Sequence, residues 1–225
     1  MSRQYDVHYS RRRTLALVVK NQQVSVKAPY GACRDFIADF VESKQAWINK
    51  QLHKQSDIEA ARYNPWLHRR IMLFGQLRAI EVSESSLKQT DNQTIHIVIS
   101  KRVKHRQRYF NQQLLALMHD ELSDHLSARI MQWQKVMNIA ANGISVKVYK
   151  RRWGSCDSRG ELCFNTLLAG APHWVIDYVI VHELAHRVHM DHSHQFWALV
   201  NGYYEHTDQA RLWLKENAHL LDFVR

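Results

Sequence analysis

Hydrophobic and polar residues alternate over residues 14–20 (TLALVVK) and 23–28 (QVSVKA), on either side of Asn21-Gln22. A period of two sends successive side chains to opposite faces of an extended chain, so this stretch predicts a β-hairpin. Ala28-Pro29-Tyr30-Gly31 breaks the alternation. Phe36, Ile37, Phe40, Val41, Trp47 and Ile48 then recur at helical spacing within residues 33–53, predicting one amphipathic helix. Segments 71–75, 78–84 and 94–100 predict further strands, and residues 83–92 form a polar turn region. From about residue 106 to 139 the period becomes helical: Leu115, Met118, Leu122, Leu126, Ile130 and Trp133 make a core-facing stripe. Residues 144–149 (ISVKVY) and 161–165 (ELCFN) predict two more strands. The change of pattern divides the chain into a β-rich N-terminal subdomain with one helix, residues 1–104, and a second part, residues 105–225.

The most informative segment follows. Pro172 suits the first turn of a helix, where its missing N–H has no partner to lose. The helix from 172 to about 189 is apolar nearly all round (Trp174, Val175, Ile176, Tyr178, Val179, Ile180, Val181) and must be buried. Inside it lies His182-Glu183-Leu184-Ala185-His186, an H-E-x-x-H motif. Residues four apart share a helix face, so His182 and His186 can turn two imidazoles to one ion, with Glu183 beside it to act on water. Buried polar groups need partners, which favours a metal over a chance match. This is the pattern of a zinc-dependent hydrolase, most often a peptidase, with one Zn2+ per chain.

An open catalytic zinc site needs a third protein ligand, and His189, Asp191, His192, His194 and Glu205 are the candidates. On a continuing helix His189 would lie about 10 Å of rise beyond His182, too far to share the ion. His192 can fold back if the helix ends near Met190-Asp191 and a new one begins at Ser193 or Asp191, with Phe196, Trp197 and Val200 facing inward. Glu205 offers the other solution, a downstream carboxylate. Ligand type and spacing favour His192.

Composition narrows the setting. No apolar run approaches the roughly 20 residues that span a bilayer, and residues 1–13 are polar and basic, unlike a secretory signal. Cys33, Cys156 and Cys163 include no C-x-x-C pair and make no disulfide framework, so a reduced cytoplasmic protein is expected. Small buried thiols are the expectation for Cys156 and Cys163. The formal net charge is +10, with basic clusters at Arg11-Arg12-Arg13, 101–108 and 147–152. Such a surface attracts polyanions, which makes nucleic acid a possible partner, but no nucleic-acid-binding motif accompanies it and solvated faces are the simpler reading.

Arg152-Trp153-Gly154-Ser155-Cys156, Gly160-x-Leu162-x-Phe164-Asn165, Pro172, the run Asp177 through His186, and Asp191-His192-Ser193-x-x-Phe196-Trp197 together resemble the YgjP-like metallopeptidase family. Arg11 to Thr14, Val26-Lys27-Ala28-Pro29 and the Phe40-Val41/Trp47-Ile48 pair extend the resemblance over most of the chain, about residues 10–220. It implies an α+β fold: a zincin-like core, with a small mixed sheet and the H-E-x-x-H helix, behind an N-terminal β-rich subdomain. It also implies that His182, His186 and His192 ligate zinc and that Glu183 is the catalytic acid/base. The family often has Asn where this chain has Asp191, a carboxylate placed to orient His192.

By the same resemblance, Leu162, Phe164 and Asn165 belong to a strand at the cleft's edge that pairs with a peptide substrate, the alternative being an ordinary core strand. Arg152 is a further substrate-binding candidate. A second electrophile for the oxyanion is sought among Tyr203, Tyr204, His206 and Arg152. The family is similar to SprT-like proteases of DNA–protein crosslink repair, so a DNA-associated protease is one alternative function. A non-peptidase zinc amidohydrolase is another.

Overall fold

The computed structural model describes residues 5–60, 63–85 and 93–224, so most of the turn region expected at 83–92 lies outside the described residues. The chain forms two compact units, residues 1–62 and 63–225. The pattern of the sequence put the division at 104/105. It falls earlier because Ile71, Ile80, Ile95, Ile97 and Ile99 bury themselves in the same hydrophobic cluster as Phe110, Leu114 and Met118 of the long helix.

In the first unit, β1 (Asp6–Ser10) runs parallel to β3 (Gln23–Pro29), and β2 (Ala16–Lys20) pairs with β3 antiparallel. Asn21 and Gln22 both take positive φ (51° and 61°), the two-residue turn that matches the twist of a hairpin. Val24, Val26 and Ala28 alternate onto the buried face and pack with Ile37, Val41 and Ile48. Those last three come from α1 (Arg34–Ser43) and α2 (Gln45–Ala60). The single helix expected over 33–53 is therefore two, broken at Lys44. β1 went unread because Asp-Val-His-Tyr-Ser carries little apolar alternation and is mostly exposed.

The second unit is α+β. β4 (Arg70–Leu73), β5 (Gln76–Ser83) and β6 (Thr94–Val98) form one mixed sheet in that order. A short helix α3 (Pro65–His68) precedes it, and α4 (Arg106–Met137) follows. Phe110, Leu114, Met118, Leu122, Leu126 and Ile130 of α4 recur every fourth residue and are all fully buried, while Leu115 and Trp133 are only partly so. The second sheet has the order β7-β9-β8, from β7 (Gly143–Lys147), β8 (Gly154–Cys156) and β9 (Glu161–Asn165). A 3-10 turn (Thr166–Gly170) then leads to α5 (His173–Ala185), α6 (His194–Tyr203) and α7 (Thr207–Leu221).

Several contacts fix where α5 starts and how it lies. The β4–β5 turn donates from Phe74 N to Ala169 O (2.7 Å) and from Gly75 N to Gly170 O (3.1 Å). Gly75 sits at φ +77° with Pro172 against it, and a Cβ there would come within 2.8 Å of the proline ring. Asp177 of α5 takes a two-pronged bond from Arg129 of α4, at 2.8 Å from Nε and 2.5 Å from Nη2. Among the described residues no helix is long and apolar enough to cross a membrane.

Candidate metal centre

α5 is buried on all sides: Val175, Ile176, Val179, Ile180, Val181, Leu184 and Ala185 are at or near zero exposure. His173 and Trp174 are exposed at its start, and toward its C-terminal end the side chain that opens outward is His182. The helix stops at His186, whose N–H still bonds back to His182 O, and a tight turn through His189 N to Ala185 O reverses the chain. Asp191 Oδ1 then accepts from Ser193 N (3.2 Å), and Ser193 Oγ caps α6 by accepting from Phe196 N (3.4 Å). That turn returns His192 to the helix it left.

The result is a cluster of three imidazoles. One nitrogen from each of His182, His186 and His192 lies within 4.8 Å of the others, with His192 Nε2 3.2 Å from His182 Nε2. Nδ1 of His186 is 3.0 Å from His189 O, which makes it the N–H donor and leaves Nε2 unprotonated toward the cluster. Burial, with the other two imidazoles, holds His182 down at about 3, and burial also lowers His186. Both rings are thus neutral near pH 7, the state in which imidazole ligates metals. Phe196 stacks on His186 (centroids 4.5 Å) and meets His182 edge-on, while Trp197 stacks on His192 (5.7 Å). These aromatic walls fix the ring planes.

Glu183 is 4% exposed, and its Oε2 is buried with no hydrogen-bond partner among the described residues. Burial pushes its carboxyl up to about 8, against the pull of Arg152. An unpartnered buried carboxyl oxygen is costly unless a bound group satisfies it. The three imidazoles and this oxygen fit a metal ion with a polar molecule beside it. Strand β8 covers the carboxyl so closely that a Cβ on Gly154 would lie 2.5 Å from Glu183 Oε1. The site opens into a cleft of about 810 Å³, walled by residues 152–156, by Tyr178, Val179 and Met190, and by one face of α7.

The other sequence expectations fare differently. β9 is the central strand of its sheet, parallel to β7 and antiparallel to β8. Its backbone is engaged on both sides and Leu162, Phe164 and Asn165 are buried, so the expected edge strand is corrected to β8. Asn165 acts as a brace: its side chain accepts from Tyr149 N and Leu167 N and donates to Tyr149 O and Arg152 O. It thereby holds the loop that presents Arg152 to the cleft.

Tyr203, Tyr204 and His206 are not among the cleft residues, whereas Arg152 is. The Tyr204 hydroxyl donates to Trp174 O in the core, and exposed His206 pairs with Glu205 at 3.3 Å, which leaves that carboxylate out of the histidine cluster. Asp191 bonds Ser193 rather than His192. Cys163 is buried as expected, while Cys156 is half-buried at the cleft, and all three cysteines are free. The sequence reading missed Tyr178, whose hydroxyl stands 3.5 Å from His182 Nδ1, one turn before it. It also missed Arg211, Leu214, Lys215 and Ala218, whose i, i+3, i+4, i+7 spacing is the signal that they share a face of α7.

Comparison with known proteins follows the same lines. No curated protein matches the chain. Among solved structures, the metallopeptidase zymogen of Methanocaldococcus jannaschii jannalysin shares 19% identity at a TM-score of 0.38, covering 41% of this chain and 96% of that one. The zymogen of Pyrococcus abyssi abylysin shares 16% at a TM-score of 0.37, covering 40% and 93%. Both likenesses are partial, and the assignment rests on a wider match: residues 13–217 fit the family model described as YgjP-like, metallopeptidase domain. The chain belongs to the YgjP-like metallopeptidase family and is by that membership a metal-dependent hydrolase.

Proposed function

We propose that the protein is a zinc peptidase in which His182, His186 and His192 hold one Zn2+ and Glu183 is the acid/base. The observation that carries this reading is the convergence of three imidazole nitrogens within 4.8 Å beside a buried carboxyl oxygen that lacks a partner. A bound zinc ion supplies Lewis-acid polarisation and lowers the pKa of a water molecule in the site. Glu183 takes that water's proton as the oxygen attacks the peptide carbonyl carbon. As the C–N bond breaks, Glu183 returns the proton to the leaving nitrogen. A buried carboxyl whose Oε2 has no other partner among the described residues is placed to carry a proton between the two steps.

Arg152 lines the cleft and acts electrostatically on Glu183, and we assign it the developing oxyanion. An extended peptide would add to the edge of β8, the strand that carries Gly154 past the carboxyl. Glu183→Gln tests the assignment: metal content should stay at one ion per chain while peptide hydrolysis falls by at least about a thousandfold. Hydrolysis surviving in the metal-replete variant would remove Glu183 from the reaction.

Recruitment by nucleic acid is the second reading. It rests on the exposed basic residues Lys101, Arg102, Lys104 and Arg108 before and within the first turn of α4. Retention on DNA at low salt that falls steeply as salt rises tests it.

A further inference from the structure

The wall of the cleft contributed by α7 carries a charge pattern that the hydrolytic residues do not use. Arg211 and Lys215 lie one turn apart on the same helix face, with Leu214 and Ala218 between and beyond them, and all four line the cleft. Arg152 adds a third cation from the loop before β8. Glu183 is the single acidic residue in the lining, and it is buried.

Arg211 is held in place. Its guanidinium lies 4.7 Å from the centroid of Trp197, which in turn stacks on His192. Among the described residues it pairs with Asp208, at 3.5 Å and 94% exposed, a pairing that solvent screens. The aliphatic surface of Val179, Met190 and Leu214 beside these cations lowers the local dielectric and strengthens attraction for an anion. Lys215, exposed, stands one turn farther along the same wall.

From this we infer that the cleft selects peptides bearing a carboxylate close to the scissile bond, with Arg211 and Lys215 as the residues that recognise it. The inference rests on the peptide-cleaving reading proposed above, whose substrate class it names. A carboxylate can come from an Asp or Glu side chain or from a free peptide C-terminus, and the chemistry of recognition is the same for both.

The test is a binding series on the zinc-loaded Glu183→Gln protein. Fluorescent hexapeptides differ at one position (Glu, Gln or Lys), each with an amidated or a free C-terminus. The Glu peptide should bind roughly fivefold tighter than the Gln peptide, the size expected of one partly screened charge pair. The Lys peptide should bind weaker still, and the order should invert between Glu and Lys in Lys215→Glu. Discrimination among amidated peptides identifies the side chain as the source. Discrimination only between free and amidated ends identifies the C-terminus.

Equal affinity across the series, no measurable binding, or a ranking unchanged in both Lys215→Glu and Arg211→Gln overturns the inference. Hydrolysis of every peptide in the series by the zinc-loaded parent protein is measured alongside. Turnover without charge ranking sinks this inference alone, and charge-ranked binding without turnover sinks the peptidase reading alone.

Discussion

Gly154 and Glu183 touch in a way that no other residue type at 154 would allow: an added Cβ would stand 2.5 Å from Glu183 Oε1 and 2.7 Å from its Cγ. The strand therefore sets the position of the carboxyl, although the two residues come from different elements. Gly154→Ala should displace Glu183 while leaving the three histidines in place. We expect turnover to fall on the order of a hundredfold, as for a small misplacement of a reacting group, with metal content unchanged. Steady-state kinetics beside metal analysis checks this, and a fully active alanine variant would show that the strand yields.

Metal occupancy separates the third ligand candidates. His192→Ala should lose the ion, whereas Glu205→Ala should keep it, because Glu205 pairs with His206 on the surface. An ion bound only by the folded state stabilises it, by about 4 kcal/mol at a thousandfold excess over Kd. Added zinc should thus raise the melting temperature of the parent and of Glu205→Ala but not of His192→Ala. Zinc stabilisation lost with Glu205 instead would transfer the ligand role to that carboxylate.

The histidine cluster was legible in the sequence because each step to it is local. H-E-x-x-H puts two imidazoles on one face by helix periodicity, and the Ser193 cap fixes the reversal that returns His192 to them. Where contacts are long-range, the sequence was silent or misleading. Leu162-Cys163-Phe164 reads as a strand, and its unbroken apolar run suits burial on both faces. A pattern of side chains says nothing, however, of which backbone edge is already paired. Tyr204 lies near the site in sequence yet turns its hydroxyl into the core. β4, β5 and β6 share the period of the first hairpin, and only packing of Ile71, Ile80 and Ile95 against α4 assigns them to the second unit. Arg211 and Lys215 depend on where α7 docks, which no motif encodes.

The Arg129–Asp177 pair joins α4 to the helix that carries the site. Asp177 is 8% exposed and receives both prongs of a half-buried guanidinium. Removing one partner leaves the other poorly solvated. Asp177→Asn and Arg129→Ala should each cost about 2–3 kcal/mol in chemical denaturation, discounted from a fully buried pair because Arg129 meets solvent. The double variant should cost less than the sum of the two, and strict additivity would mean that the pair contributes no coupling.

Tyr204 offers a test that separates structure from chemistry. Its hydroxyl donates to Trp174 O, and burial, with Asp177 adding to it, pushes the phenol up to about 12. The folded pKa thus lies above the ordinary value of 10.0, so the folded state favours the protonated phenol. The associated stability is fully present below pH 10 and is lost as pH rises toward 12. Tyr204→Phe removes the hydrogen bond and leaves Trp174 O without its donor, at a cost of about 1 kcal/mol near pH 7. Because phenylalanine does not titrate, the parent's advantage should shrink as denaturation is repeated from pH 10 upward. Turnover should stay close to that of the parent, since Tyr204 is outside the cleft lining. A large loss of turnover with unchanged stability would return Tyr204 to the oxyanion role that its place in the sequence suggests.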